Sequence, residues 1–237
     1  MKILALESSA VAASAAVCED ERLIAQSFQH SGLTHSRTLM PMCRDLLANC
    51  GLSLEEIDVV AVAAGPGSFT GLRIGVAAVK GLAWAGDKPC AGVSTMEAMA
   101  WSLAFLRDAD LCPVMDARRS QVYNALFTAR GGALERRTED RALSIEELAG
   151  ELAAREKTQI LVGDGAGLCY NELTKRGLDV ELAPPHLLLQ SGWGVARGAL
   201  ELARQGRLVS AAGLAPAYHR LSQAERERLA KENKKNM

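Results

Sequence analysis

The residues of this chain that could do chemistry gather where apolar runs break off into glycine and hydroxyl residues. Val59 to Ala64 has the small, β-branched composition of a strand covered on both faces, and Gly65-Pro66-Gly67-Ser68-Phe69-Thr70-Gly71 carries it into a helical pattern. A strand–turn–helix unit of this kind aims backbone N–H groups at whatever sits above the strand end, which suits an anion. It is not a P-loop, since no lysine lies between Val59 and Val79. Nor is it the dinucleotide fingerprint, whose third glycine would fall on Thr70. From spacing alone it reads equally as a ligand loop and as a structural turn. Gly163-Asp164-Gly165-Ala166-Gly167, after Ile160-Leu161-Val162, repeats the arrangement and carries the same two readings.

Carboxylates close two further apolar runs. Glu7, followed by Ser8 and Ser9, ends one near the start of the chain; Asp116, followed by Ala117 and Arg118, ends another. Such a carboxylate could handle metal-bound water beside a phosphate. It could equally cap nearby N–H groups, and Asp116 could simply pair with Arg118. Other chemistries find less support. His30 and His35 are five apart, not the i, i+4 spacing that puts two ligands on one helical face, and His186 and His219 have no acidic or cysteine neighbours at ligand spacing. The six cysteines form no CxxC pair. No Ser–His–Asp or Cys–His set stands out, and no bound metal is expected.

To position these groups the chain has to build two similar halves. The first reads as strands 2–7, 11–18 and 22–28, then helix 36–50 with Ser36 as cap and Gly51 as stop. Strand 58–64, helix 70–85 capped by Ser68 or Thr70, strand 89–93 and helix 94–106 follow. The second reads as strands 111–116, 121–128 and 132–138, helix 144–155, strand 159–163, and helices 165–176 and 191–205, the last capped by Ser191 and stopped by Gly206. The repeat predicts an α/β fold of two mixed-sheet lobes, the second abbreviated, over 1–107 and 108–218. A polar tail, 219–237, carries six Lys/Arg against three Asp/Glu. Helix 70–85 carries Gly71, Gly75, Ala78, Gly81, Leu82 and Ala85 along one side with Ile74 beside them, and helix 36–50 presents Leu39, Cys43 and Leu46. Glycine inside a helix costs stability, so another helix is expected to approach closely, either within the protein's own core or from a partner.

The strings carry more than their spacing. Gly-Pro-Gly-Ser-Phe-Thr-Gly-Leu-Arg-Ile-Gly (65–75), Gly81-Leu82-Ala83 and Gly92-Val93-Ser94-Thr95-Met96 closely resemble the TsaB (YeaZ-type) family. So do Ile3-Leu4-Ala5-Leu6-Glu7-Ser8-Ser9, His35-Ser36 with Leu39 and Pro41, Asp116-Ala117-Arg118 with Val122-Tyr123, and Pro216-Ala217-Tyr218. The resemblance implies the two-lobed ASKHA fold of actin, hexokinase and heat-shock ATPases. It implies a non-catalytic, dimerising subunit of the machinery that makes threonylcarbamoyladenosine (t6A) in tRNA, at the adenosine 3′ of the anticodon. The implied partners are a TsaD-type catalytic paralogue, a TsaE-type ATPase and a second copy of the chain. The partner face would comprise Leu39, Cys43, Leu46, Gly71, Ile74, Gly75, Ala78 and Leu82. Glu7, Ser8, Ser9, Asp116, Gly163, Asp164 and Gly165 would stand in degenerate nucleotide loops, with no cofactor required and at most weak ATP or ADP binding.

Three departures bear on that expectation. Nucleotide-binding members of the fold keep Asp where this chain has Glu7, and the family's Gly-Glu before Val122-Tyr123 is replaced by Ser120-Gln121. The TsaD-type paralogues carry a His-x-x-x-His metal pair at positions that here are Thr95 and Met99, neither of which substitutes for imidazole. An ATP-dependent kinase or transferase of the same fold would need intact phosphate loops, and a glycoprotease-like metallopeptidase would need the missing ligands.

Composition agrees with a soluble subunit. A net charge of −1 and pI near 6.4 do not suit a protein that grips a polyanion over its whole surface, so tRNA is expected to be held mainly through partners. Scattered cysteines suit a reducing compartment. Glu7 interrupts the N-terminal apolar run before it could form a signal core, and no apolar segment reaches the roughly 18 to 20 residues of a membrane span. The expected location is the cytoplasm.

Overall fold

Strands β1 (Lys2–Glu7) and β4 (Val59–Gly65) are almost continuously apolar because both faces of their sheet are covered. β1 runs antiparallel to β2 (Ala13–Glu19), which pairs with β3 (Arg22–Gln29) at the edge. On its other side β1 pairs parallel with β4, and β4 with β5 (Cys90–Ser94), giving the order β3-β2-β1-β4-β5. Helices α1 (His35–Asn49) and α2 (Phe69–Ala85) cover one face, packing Leu39, Leu46, Val76 and Val79 on Leu4, Leu6, Val60 and Val62. Helix α3 (Thr95–Trp101) then leads into the second lobe. These coordinates are a computed structural model, and it describes residues 1–219. The expected basic tail therefore lies outside the described residues, apart from His219.

The second sheet is built on β6 (Arg107–Asp116), flanked by β7 (Gln121–Asn124) and β11 (Gln159–Val162). β10 (Arg141–Ser144) and β12 (Val180–Leu182) close the order β10-β7-β6-β11-β12. β8 (Phe127–Arg130) and β9 (Leu134–Arg136) extend from the N-terminal half of β6. Helices α4 (Ile145–Leu152) and α5 (Ala166–Lys175) pack on it through Leu148, Leu152, Cys169 and Leu173.

The strand expected at 121–128 is two strands. The break falls beside Pro113 of β6, which has no N–H to give; the Asn124 side chain instead donates to the Pro113 carbonyl at 3.0 Å. The helix expected over 94–106 stops at Trp101, and β10 was not foreseen. Thr34, not Ser36, precedes the first turn of α1, and it makes no side-chain cap bond. Ser68 does cap α2, its Oγ accepting from Gly71 N at 3.3 Å.

The largest difference concerns helix α6 (Gly192–Arg204), read from sequence as part of the second half. It covers the other face of the first sheet, with Val195, Ala196, Ala199 and Leu200 against Ile3, Ala5, Ala61 and Val93. The chain after it stays with the first lobe. Val209 bridges Cys90, Leu214 joins the core under α1 and α2, and Ala217 N donates to Ala64 O at 2.7 Å. Tyr218 then stacks on Phe69 with centroids 4.6 Å apart and accepts from Arg73 Nε at 3.0 Å, so the Pro216-Ala217-Tyr218 motif pins the chain to the start of α2.

Candidate functional site

The two lobes meet at a cleft of about 360 Å³, lined by Ser9, Gly67 and Ser68 from one side and Asp116, Arg118 and Asp164 from the other. The structure therefore gathers the expected loops around one space. Glu7 lies just beneath it, fully buried, with Oε1 accepting from Ser9 N at 2.5 Å and Oε2 without a hydrogen-bond partner. Burial pushes its carboxyl up to about 7; the hydrogen bonds from Ser9 pull the other way, and Asp164 adds to the rise. Burial likewise raises Asp164, opposed chiefly by the Gln190 side-chain amide, which donates to Asp164 Oδ1 at 2.8 Å. Asp116 and Arg118 form an ion pair at 3.8 Å on the β6–β7 hairpin, and Arg118 N donates to Asp116 Oδ1 at 2.7 Å. Gln190 was missed from sequence, since a lone glutamine far along the chain gives no signal of facing Asp164.

The glycine loops are tight for reasons internal to the protein. A Cβ at Gly71 would lie 2.1 Å from Ser8 O, and one at Gly75 would lie 2.4 Å from Ser8 Oγ, itself donating to Gly71 O at 2.9 Å. A Cβ at Gly163 would lie 2.1 Å from Val114 O, and one at Gly165 2.9 Å from Asp116 N. Several of the loop amides expected to cradle phosphate are engaged within the protein. Ser68 N donates to Ser9 O, Gly163 N to Leu188 O, Gly165 N to Val114 O and Ala166 N to Gly163 O. These four donors are not free for a phosphate, and Glu7 is a fully buried acid.

At the start of α3, Met99 is buried in apolar packing with Met96, Leu103 and Met115, and Thr95 is fully buried. Ser94 caps that helix, its Oγ accepting from Glu97 N at 3.1 Å. His35 is held by its ring, with Nε2 2.7 Å from Ala10 O. Among the described residues no group of three His, Cys, Asp or Glu is placed to hold a metal ion.

The expected partner face needs correction. Leu39, Cys43 and Leu46 are buried in the first core, and Gly71 and Gly75 lie under Ser8. The apolar stripe of α1 and the glycine edge of α2 were spent inside the protein. Ile74, Ala78 and Leu82 are half-buried against that core. The outer side of α2 is Arg73, Ala77, Gly81 and Trp84, with Trp84 75% exposed, and Met40 of α1 is 43% exposed. A helical reading of Leu72, Val76, Val79 and Ala83 as the buried stripe would have found this side.

Two mixed-sheet lobes around a cleft, with β1 and β6 leading into it, make up the two-lobed ASKHA fold. At the level of fold, the ethanolamine utilization protein EutJ from Carboxydothermus hydrogenoformans aligns with TM-score 0.51 and 13% identity over 84% of this chain and 90% of its own. Nearer relatives are more specific. The family described as TsaD, tRNA N6-adenosine threonylcarbamoyltransferase, matches residues 23–181. The tRNA threonylcarbamoyladenosine biosynthesis protein TsaB of Bacillus subtilis (strain 168) is 31% identical over 95% of this chain and 96% of its own. YeaZ from Pseudomonas aeruginosa superposes with TM-score 0.79 and 28% identity, over 92% of this chain and 99% of that one. The chain belongs to the TsaB (YeaZ-type) family of tRNA threonylcarbamoyladenosine biosynthesis proteins.

Proposed function

We propose that the protein acts in t6A formation as a non-catalytic subunit that binds and supports a TsaD-type transferase, through the outer faces of α1 and α2. The observation that carries the reading is at the start of α3. Where the paralogues have two metal-binding imidazoles, Thr95 is fully buried and Met99 packs into the core. The amides of Ser68, Gly163, Gly165 and Ala166 support it from a second direction, because their bonds within the protein take them away from a nucleotide phosphate. Trp84, Gly81, Ala77 and Met40 form an exposed, mostly apolar strip of the kind that pairs with helices of a homologous chain. A TsaE-type ATPase and tRNA join through that pair, in the cytoplasm, and no cofactor is required. No helix among the described residues is long and apolar enough to cross a membrane.

Purification of the tagged chain from its source cell tests this. A TsaD homologue should come with it at close to equal amounts. The chain alone should show no ATP turnover in the ordinary enzyme range of about 1 to 10³ s⁻¹ and no stoichiometric metal. Turnover in that range, or a tightly held metal, would favour the transferase or peptidase readings instead.

A further inference from the structure

Glu7 is a carboxyl group with nowhere to put a charge. It is fully buried, Oε2 has no partner, and Oε1 accepts from the neighbouring Ser9 amide. No cation among the described residues compensates it. β2 and β4 present no charged side chain beside it. On α2, Arg73 is committed to Phe69 and Tyr218, and Lys80 to Ala212 O. On α1, the His35 ring is taken by Ala10 O. On α6, Arg197 is drawn to Glu21. Across the seam Asp164, held by Gln190 and lining the cleft with Asp116 and Arg118 of the β6–β7 hairpin, adds a further acid whose charge disfavours ionisation of Glu7. A carboxylate between two lobes, beside a second carboxylate, is stable there only while it keeps its proton.

We propose that Glu7 is a proton-operated lock on the floor of the cleft: as the neutral acid it lets the β1 end close on Asp164 and Gln190, and on losing its proton to water it drives that seam open. The direction follows from linkage. The closed form holds the proton up to about 7, whereas an opened, hydrated glutamate holds it only to about 4.5. Opening therefore releases a proton throughout that window, and rising pH favours it by up to about tenfold per pH unit before the effect levels off near 7. The lock is independent of which partner the protein binds.

Amide hydrogen exchange on the full chain between pH 5 and 8, corrected for the intrinsic rate, tests it. Protection at residues 8–11 and 163–166 should fall with rising pH up to about 7 and then level. Glu7→Gln, which mimics the protonated acid, should keep those segments protected over the range. A wild-type profile that stays flat, or a Glu7→Gln profile with the same fall, overturns the lock. Asp164→Asn gives an independent reading: removing the like charge should move the levelling point to lower pH, and an unmoved point counts against the proposal. Should Glu7→Gln fail to fold, carboxyl NMR of Glu7 in the wild-type chain decides. A midpoint near 7 supports the lock and one near 4.5 sinks it.

Discussion

A methyl group added at Gly71 would lie 2.1 Å from the Ser8 carbonyl oxygen, whereas one added at Gly81 of the same helix would meet nothing within 4 Å. The two glycines look alike in the sequence and differ in kind. Backbone cannot retreat as a flexible side chain can, so Gly71→Ala should force β1 and α2 apart. The expected loss is about 1–3 kcal/mol, the range of overpacked cores. Gly81 sits mid-helix on the outside, where alanine gains on glycine by up to about 1 kcal/mol. Urea unfolding of both variants should therefore show shifts of opposite sign. Equal shifts would mean that the Ser8 contact is looser than the structure has it. Glu7 teaches the same lesson in charge: its type and place at a strand end were legible, but its ionisation depends first on burial and also on Asp164, more than 150 residues away by the numbering.

Helix α2 shows why elements were easier to read than their faces. Its start at the Ser68 cap and its length followed from local signals, as did the glycine-rich turn before it. Which side faces inward did not, because small residues occupy both the buried edge under Ser8 and the outer edge near Trp84. The break between β7 and β8 was illegible for a related reason. It depends on a missing N–H at Pro113, which matters only once β6 has neighbours on both sides. This orientation decides which substitution can test the partner surface. Ala78→Arg would push a charge against the protein's own core and confuse folding with binding. Gly81→Arg places the same charge on the outer side. It should leave the circular dichroism spectrum and melting behaviour near wild type and weaken binding of a TsaD homologue by about a hundredfold or more, the cost of an unpaired charge at an apolar helix contact. Normal binding by a folded Gly81→Arg protein would remove α2 from the interface.

At the scale of the whole molecule, the chain order and the lobes do not coincide. The sequence divides cleanly near residue 107, and a reader of the repeat expects an independent first half. The structure instead finishes the first lobe with residues from the end of the chain. α6 covers Ile3, Ala5, Ala61 and Val93, and Leu214 fills the opposite core. The contact is close, since a Cβ at Gly194 of α6 would lie 1.9 Å from Ala98 O. Across the seam Arg136 of β9 reaches Glu97 of α3 at 3.1 Å, and Gly132 N donates to Ala104 O at 2.7 Å. A fragment of residues 1–107 would expose one whole face of an apolar sheet, and burial of such surface contributes about 25 cal/mol per Å². The fragment should therefore fail to fold alone, showing little native circular dichroism or aggregating, while the full chain unfolds in a single transition followed by both far-ultraviolet signal and tryptophan fluorescence. Adding residues 108–237 to the fragment should restore the native spectrum, because that piece carries α6 and the strap that follows it. A stable, monomeric 1–107 fragment with a cooperative melt of its own would show that α6 is an accessory to the first lobe and not part of its core.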